Sequence, residues 1–224
     1  DLRAAGHVGG RKLGLGTSSA VTLSLLQAAL ADAGRPLEPA WLMAQGLAIH
    51  GAAQGGRGSG YDIATQAWGG VIAYRQPPAQ VGVLSWPAGL HGAALWTGTP
   101  ADTTAALRKG VQHDVAPMKA VAACAEALLT TWREANVAGV LAALAACERA
   151  FASMANVHPH LVPDSARKLG ALIHDHGAVS RTSGAGGGDC LLAFAADADV
   201  INAIVSEWQA SGGHCVGHFP NDIR

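Results

Sequence analysis

The stretch Gly14-Leu15-Gly16-Thr17-Ser18-Ser19-Ala20 decides how this chain is read, because it runs directly into an apolar segment with helical spacing. Val21, Leu25, Leu26, Ala29 and Leu30 recur at intervals of three and four and Gly34 supplies a stop, so the spacing predicts a helix over Ser19–Ala33. Glycine tolerates positive φ and close backbone approach, and a helix amino terminus presents unpaired N–H groups with partial positive charge. Such a unit suits a phosphate, with hydroxyls beside it for a magnesium ion. It equally describes a Ser/Thr helix cap after a tight turn. Neither GxxxxGK[ST] nor GxGxxG is present, which removes the two commonest phosphate-loop signatures and leaves phosphate binding open.

Outward from that loop the chain alternates helix and strand. Pro39 opens a second helical pattern through Trp41, Leu42, Gln45 and Ile49 towards Gln54, ended by Gly55 and Gly56. Short apolar runs bounded by Gly and Pro read as strands at Val71–Tyr74, Val81–Trp86 and Ala93–Trp96. From Pro117 to Asn156 the pattern is helical, with an interruption expected at Asn136–Gly139. A helix over Asp164–His176, capped by Asp164, precedes a strand, glycine loop and strand over Ala178–Ala195. A helix at Val200–Ala210 and a strand at His214–Phe219 follow. The order indicates an α+β chain with a soft boundary near 85–95, written here as domains 1–90 and 91–224.

Composition bounds the function. The 224 residues are 50% hydrophobic and 14% charged, which is a packed-domain composition rather than a disordered one. Fifteen Lys+Arg against sixteen Asp+Glu leave a net charge of −1, so no whole-chain cationic field drives binding to nucleic acid or anionic membrane. Cys124, Cys147, Cys190 and Cys215 are scattered without a CxxC pair, which fits a reducing, cytoplasmic compartment. Apolar runs are broken by Gly, Gln, Glu or Arg, and no membrane span is expected. The ten histidines match neither HExxH nor a Cys/His finger, and a scattered surface role outweighs a zinc site. The chain starts at Asp1 and enters glycine-rich sequence within nine residues, so an amino-terminal piece beyond it is expected.

Three glycine-rich segments, in order, carry a family resemblance. Gly14–Ala20 resembles the GLGSSA phosphate loop of the GHMP small-molecule kinases. Gly58-Ser59-Gly60-Tyr61-Asp62-Ile63-Ala64 with Trp68-Gly69-Gly70 resembles the family's segment bearing the catalytic aspartate, and Ser183-Gly184-Ala185-Gly186-Gly187-Gly188-Asp189-Cys190 its late glycine motif. The GSGYDIA wording, the SGAGGGDC motif and Trp96–Ala101 with Thr103 close behind are similar to the bacterial phosphomevalonate branch rather than to the sugar kinases. The resemblance spans residues 10–224. The family's opening strand pair, with its PGK and GEY-like residues, has no counterpart in these residues.

The resemblance implies a two-domain α+β fold, with an amino-terminal domain like domain 2 of ribosomal protein S5 and a ferredoxin-like carboxy-terminal domain. It implies ATP and Mg²⁺ as cofactors, 5-phosphomevalonate as small-molecule acceptor and 5-diphosphomevalonate as product, in a monomer or homodimer. Gly14, Leu15, Gly16, Thr17, Ser18 and Ser19 would hold the nucleotide, Ser18 the metal, and Asp62 with Lys12 would serve catalysis. Arg57, Ser59, Gly60, Arg181 and Gly184, Ala185, Gly186 and Gly187 would bind the acceptor, the arginines through paired hydrogen bonds to its anionic groups. On its residues alone Asp62 is also a helix-capping aspartate, Lys12, Arg57 and Arg181 are solvated surface cations, the late loop is a tight strand connection, and Asp189 has no chemical assignment. A different GHMP acceptor, mevalonate or a sugar, and a non-catalytic nucleotide-binding relative are the competing readings.

Overall fold

The computed structural model describes residues 6–56, 58–76, 78–101 and 115–221. Two short strands, β1 (His7–Val8) and β2 (Arg11–Lys12), precede helices α1 (Thr17–Asp32), α2 (Pro39–Ala53) and α3 (Tyr61–Trp68), strands β3 (Val71–Arg75), β4 (Gln80–Leu84) and β5 (His91–Trp96). Helices α4 (Val115–Arg133), α5 (Val137–Val157) and α6 (Asp164–Asp175) follow, then β6 (Val179–Thr182), β7 (Cys190–Ala195), α7 (Ala198–Ala210) and β8 (His214–Phe219). The chain divides into two compact units, one built on Leu15–Ser85 and the other on Gly9–Gly14 with the residues from Trp86 onward.

In the first unit α1, α2 and α3 pack around Leu23, Leu42, Met43, Ile63 and Ala64, all buried, with Ile72, Tyr74 and Val81 of the antiparallel β3–β4 pair against them. The first helix begins two residues before the sequence pattern suggests. Gly16 takes the left-handed conformation ahead of it (φ 65), and the fully buried Ser19 turns its hydroxyl back onto the Gly16 carbonyl at 2.6 Å.

The second unit is a four-stranded antiparallel sheet in the order β6-β7-β5-β8. Counted along the chain within this sheet the order is strand two, three, one, four, the ferredoxin-like order that the resemblance implied. Alternation along β7 separates the two faces. Leu191, Ala193 and Ala195 join Leu169 and Ile173 of α6 and Ile201, Ile204 and Val205 of α7 in one core. Phe194 faces the other way, onto Val140 and Leu144 of α5. Trp86 belongs to that second core rather than to β4 as its apolar run suggested, and its indole nitrogen donates to the Leu90 carbonyl at 2.7 Å.

Two sequence expectations are corrected. Residues 137–156 of α5 are long and apolar enough by length and composition to cross a membrane, contrary to the expectation of no such stretch. A third of that stretch is buried (33%): Val140 and Leu144 face Phe194 of the sheet, and Phe151 and Met154 pack with Leu161. Asp164 does not cap α6. Pro163 holds the cap position in extended backbone, and Asp164 instead meets Arg167 at 3.3 Å on the exposed face.

Candidate nucleotide site

The head of α1 has the features that the sequence loop suggested. Ala20 N–H makes the first intrahelical bond, to the Gly16 carbonyl at 3.0 Å, so the amides of Thr17, Ser18 and Ser19 precede the ladder and have no acceptor within the helix. No acidic residue sits in the first turn to offset the positive end of the helix. Leu15 and Ser18 are exposed and Thr17 is half-buried. The Ser19 hydroxyl is committed inward, so of the three hydroxyls only those of Thr17 and Ser18 remain outward candidates.

Asp62 lies beside this loop within the same unit. A Cβ placed on Gly16 would stand 3.5 Å from the Asp62 Cβ, 3.1 Å from Gln66 Nε2 and 3.0 Å from Ser19 Oγ. Gly16 combines a positive φ with crowded neighbours, so a side chain there meets both strain and contact. Asp62 does not cap α3. Gly60 occupies the cap in the left-handed conformation (φ 73) with no side-chain cap bond, and Asp62 Oδ1 accepts from the Ile63 amide at 2.9 Å. The carboxylate is half-buried at the first turn of α3.

Several residues of this unit went unassigned in the sequence reading. His50, buried on α2, places Nε2 3.1 Å from Ser18 Oγ and 3.3 Å from Gln54 Nε2. Gln66, one turn after Asp62 on α3, donates Nε2 to the Gly16 carbonyl at 3.1 Å. Tyr74 donates its hydroxyl to the Ser59 carbonyl at 3.1 Å and meets Gln76. Burial pushes the Tyr74 phenol upward, the Gln76 hydrogen bond acts against this, and the Asp62 carboxylate adds to the rise. The spacings His50–Gln54 and Asp62–Gln66, each i to i+4, were the available signal that these polar pairs share a helix face. Sequence spacing does not say which loop that face meets.

In the second unit the late glycine loop is held from within. The Gly187 amide donates to the Leu161 carbonyl at 2.7 Å, and a Cβ on Gly186 would meet that carbonyl and the Phe151 ring. Gly187 is therefore placed by its amide rather than left with that amide free. The Gly184 carbonyl accepts from Thr182 Oγ1 at 3.1 Å, and Ala185 is exposed. Arg181 stacks over Phe151, with Cζ 5.3 Å from the ring centroid, and donates to Thr182 Oγ1 at 3.1 Å. Asp189, given no role from sequence, anchors the loop. With φ 57 it donates its amide to the Thr99 carbonyl (2.8 Å), accepts the Thr97 amide on its own carbonyl (2.8 Å) and accepts the Ala101 amide on Oδ1 (2.9 Å). Its carboxylate fills the place a side chain on Gly14 would take.

Lys12 is exposed on β2, Ser59 is exposed and Gly60 half-buried before α3. Arg57 and Thr103 lie outside the described residues. Among the described residues no three His, Cys, Asp or Glu side chains group as metal ligands.

A helix head whose first amides precede its hydrogen-bond ladder, a carboxylate-bearing helix packed beside it, and a separate ferredoxin-like unit define a class of fold that comparison with known proteins names. The GHMP kinases N terminal domain matches residues 10–70 and the GHMP kinases C terminal region matches residues 132–214, jointly well over half the chain. The chain belongs to the GHMP kinase family. A phosphomevalonate kinase from Streptomyces sp. (strain CL190) is 27% identical over 92% of this chain, which spans 64% of that relative's length. The phosphomevalonate kinase of Streptococcus pneumoniae, solved in complex with phosphomevalonate and AMPPNP, superposes with TM-score 0.80 at 19% identity, covering 95% of this chain and 70% of that one. The Lin0012 protein from Listeria innocua gives TM-score 0.83 at 20% identity, over 95% and 68% respectively.

Proposed function

We propose that this chain is the ATP-using portion of a cytoplasmic kinase that transfers the γ-phosphoryl group to 5-phosphomevalonate, releasing ADP and 5-diphosphomevalonate. The observation that carries this reading is that, inside one unit, the head of α1, whose first three amides have no acceptor within the helix, lies beside Asp62 of α3 across Gly16. Phosphoryl transfer needs little covalent chemistry from the protein; it needs two anions positioned and the migrating charge stabilised. The Thr17, Ser18 and Ser19 amides hold the nucleotide phosphates, each N–H donating to a phosphate oxygen. Asp62 accepts a hydrogen bond from the attacking group of the acceptor and orients it, or takes its proton where the attacking oxygen carries one.

The Ser18 hydroxyl, held 3.1 Å from His50 Nε2, is an oxygen donor of the kind Mg²⁺ prefers, and Asp62 is a second oxygen donor in the same unit. Ser18 would hold that ion, which when bound neutralises charge on the β- and γ-phosphates. Ser59 and Gly60, with Arg57 as a bidentate donor, take the acceptor's phosphate and carboxylate. The acceptor identity draws on the GSGYDIA and SGAGGGDC wording and on the Streptomyces relative. A small-molecule partner, no nucleic acid, no membrane, and a monomer or homodimer complete the reading.

An acceptor panel measured by ADP release tests it. Turnover that saturates with phosphomevalonate is expected; saturation with mevalonate or a sugar and none with phosphomevalonate moves the chain to another branch of the family. ATP binding without turnover of any acceptor, in the full natural protein, makes it a non-catalytic relative.

A further inference from the structure

We infer that Gln66 is a positioning residue that sets the register between the nucleotide loop and the helix carrying Asp62, an inference that rests on the reading of Asp62 given above. Three donors converge on the Gly16 carbonyl. Ala20 N–H and Ser19 Oγ are local, from the helix that the carbonyl itself opens. Gln66 Nε2 comes from fifty residues further along, at 3.1 Å, and is the side-chain hydrogen bond that joins α3 to this turn. Gln66 stands one helical turn after Asp62, so both side chains leave α3 on one face. The same hypothetical Cβ on Gly16 that lies 3.1 Å from Gln66 Nε2 lies 3.5 Å from the Asp62 Cβ. A shift of the loop along α3 therefore breaks the Gln66 bond and misplaces Asp62 together.

The other end of the amide argues that this contact is not there for stability. Gln66 Oε1 is buried with no hydrogen-bond partner. A buried carbonyl without a donor is unfavourable, and an apolar side chain of the same length would avoid it while filling the same volume. A residue whose sole task was packing would be better as Met. Glutamine at this position gains one geometric feature in return, a fixed N–H aimed at the turn that presents the phosphate amides.

Replacing Gln66 by Met keeps length and volume, removes the donor and removes the orphaned carbonyl. The expected result is a thermal midpoint at or above that of the wild type, unchanged affinity for a non-hydrolysable ATP analogue, and kcat lowered about 10- to 100-fold, the scale of a misplacement of roughly 1 Å in a positioned reaction. Gln66→Glu, isosteric but without the N–H, should lower kcat at least as far. In an Asp62→Asn background Gln66→Met should cost little more, because the register it protects no longer serves a carboxylate. Wild-type kcat in Gln66→Met, or a loss of kcat that follows a fall in thermal midpoint, or full additivity with Asp62→Asn, overturns the inference while a severe Asp62→Asn defect leaves the functional reading standing. If Asp62→Asn alone is without effect, the functional reading fails first and the inference with it.

Discussion

The two glycine-rich loops look alike as sequence and are built in opposite ways. In Gly14–Ser19 two glycines take positive φ and the second turns the chain into a helix, the Gly16 carbonyl is met by three donors, and the Thr17, Ser18 and Ser19 amides have no acceptor within the helix. In Ser183–Gly188 the glycines yield space to neighbours: the Leu161 carbonyl, the Phe151 ring and the Thr99–Ala101 backbone press against Gly186 and Gly188, and the Gly187 amide is already bonded. Glycine content alone thus does not mark a loop as a ligand cradle. What marks it is whether the donors the turn creates remain unpaired.

The largest effect that separates the two regions should be kinetic. Asp62→Asn keeps the shape of α3 and removes the charge next to the first loop, and kcat is expected to fall by about 10²–10⁴-fold, the usual span for loss of a positioned acid or base, with analogue binding nearly unchanged. Steady-state kinetics beside an analogue titration reads both, and an unaltered kcat would remove Asp62 from the chemistry.

Next in size is a stability effect confined to the late loop. Gly188 has φ 140, and an added Cβ would meet the Thr99 carbonyl, the Ala101 nitrogen at 2.9 Å and the Pro100 carbonyl carbon at 3.0 Å. These are backbone atoms, so no side-chain rotation relieves the contact. Gly188→Ala should destabilise the second unit by about 3 kcal/mol, a thermal shift of roughly 6–12 °C for a chain of this size. Gly16→Ala is the matched change in the first loop. There the obstacles, Ser19 Oγ and Gln66 Nε2, are ends of side chains, so the loss should stay near the ~1–2 kcal/mol of a left-handed non-glycine residue, while the loop's function suffers more than its stability. Differential scanning calorimetry of both variants decides; equal shifts would erase the distinction between an open and a packed loop.

Periodicity and turn residues made most of the fold legible. Helices α1, α2 and α7, the α4–α5 hairpin and strands β5 to β8 all fall within a few residues of their sequence patterns, because each pairs a clean apolar spacing with a Gly, Pro or Asn boundary. The misses have different causes. Trp86 extends an apolar run but packs on Trp132 and Phe194, and Val140 and Leu144 of α5 face Phe194 of the sheet, so these depend on partners distant in sequence. Asp164 has a cap residue's chemistry but follows a Pro163 that already holds the cap, a neighbour the sequence displays. The site divides the same way: Gly16, Ser18 and Asp62 carry local motifs, whereas His50, Gln66 and Asp189 are defined by what they touch 32, 50 and 88 residues away. No spacing rule within one element encodes those contacts.

The smallest expected difference between the two regions appears only in alkali. Cys190 closes the late motif, is buried at the start of β7, and directs its thiol to the Leu13 carbonyl at 3.7 Å. Burial, with the Asp189 carboxylate and then Cys215 adding to it, pushes this thiol from 9.0 up to about 12. The folded protein therefore holds the proton more tightly than the unfolded chain does. This contribution is fully present below pH 9 and is lost as pH rises from 9 towards 12, at about 1.4 kcal/mol per pH unit. Cys147, pushed up to about 11 mainly by burial and lying in the same unit, acts in the same direction. Between pH 8 and pH 10 the wild type should lose about 1.4 kcal/mol more than Cys190→Ala, read as the change in denaturation midpoint within each protein so that the cavity left by the substitution cancels. Parallel pH slopes would mean that the thiol meets water in the folded state, and the late loop would then be less tightly packed than its glycine contacts imply.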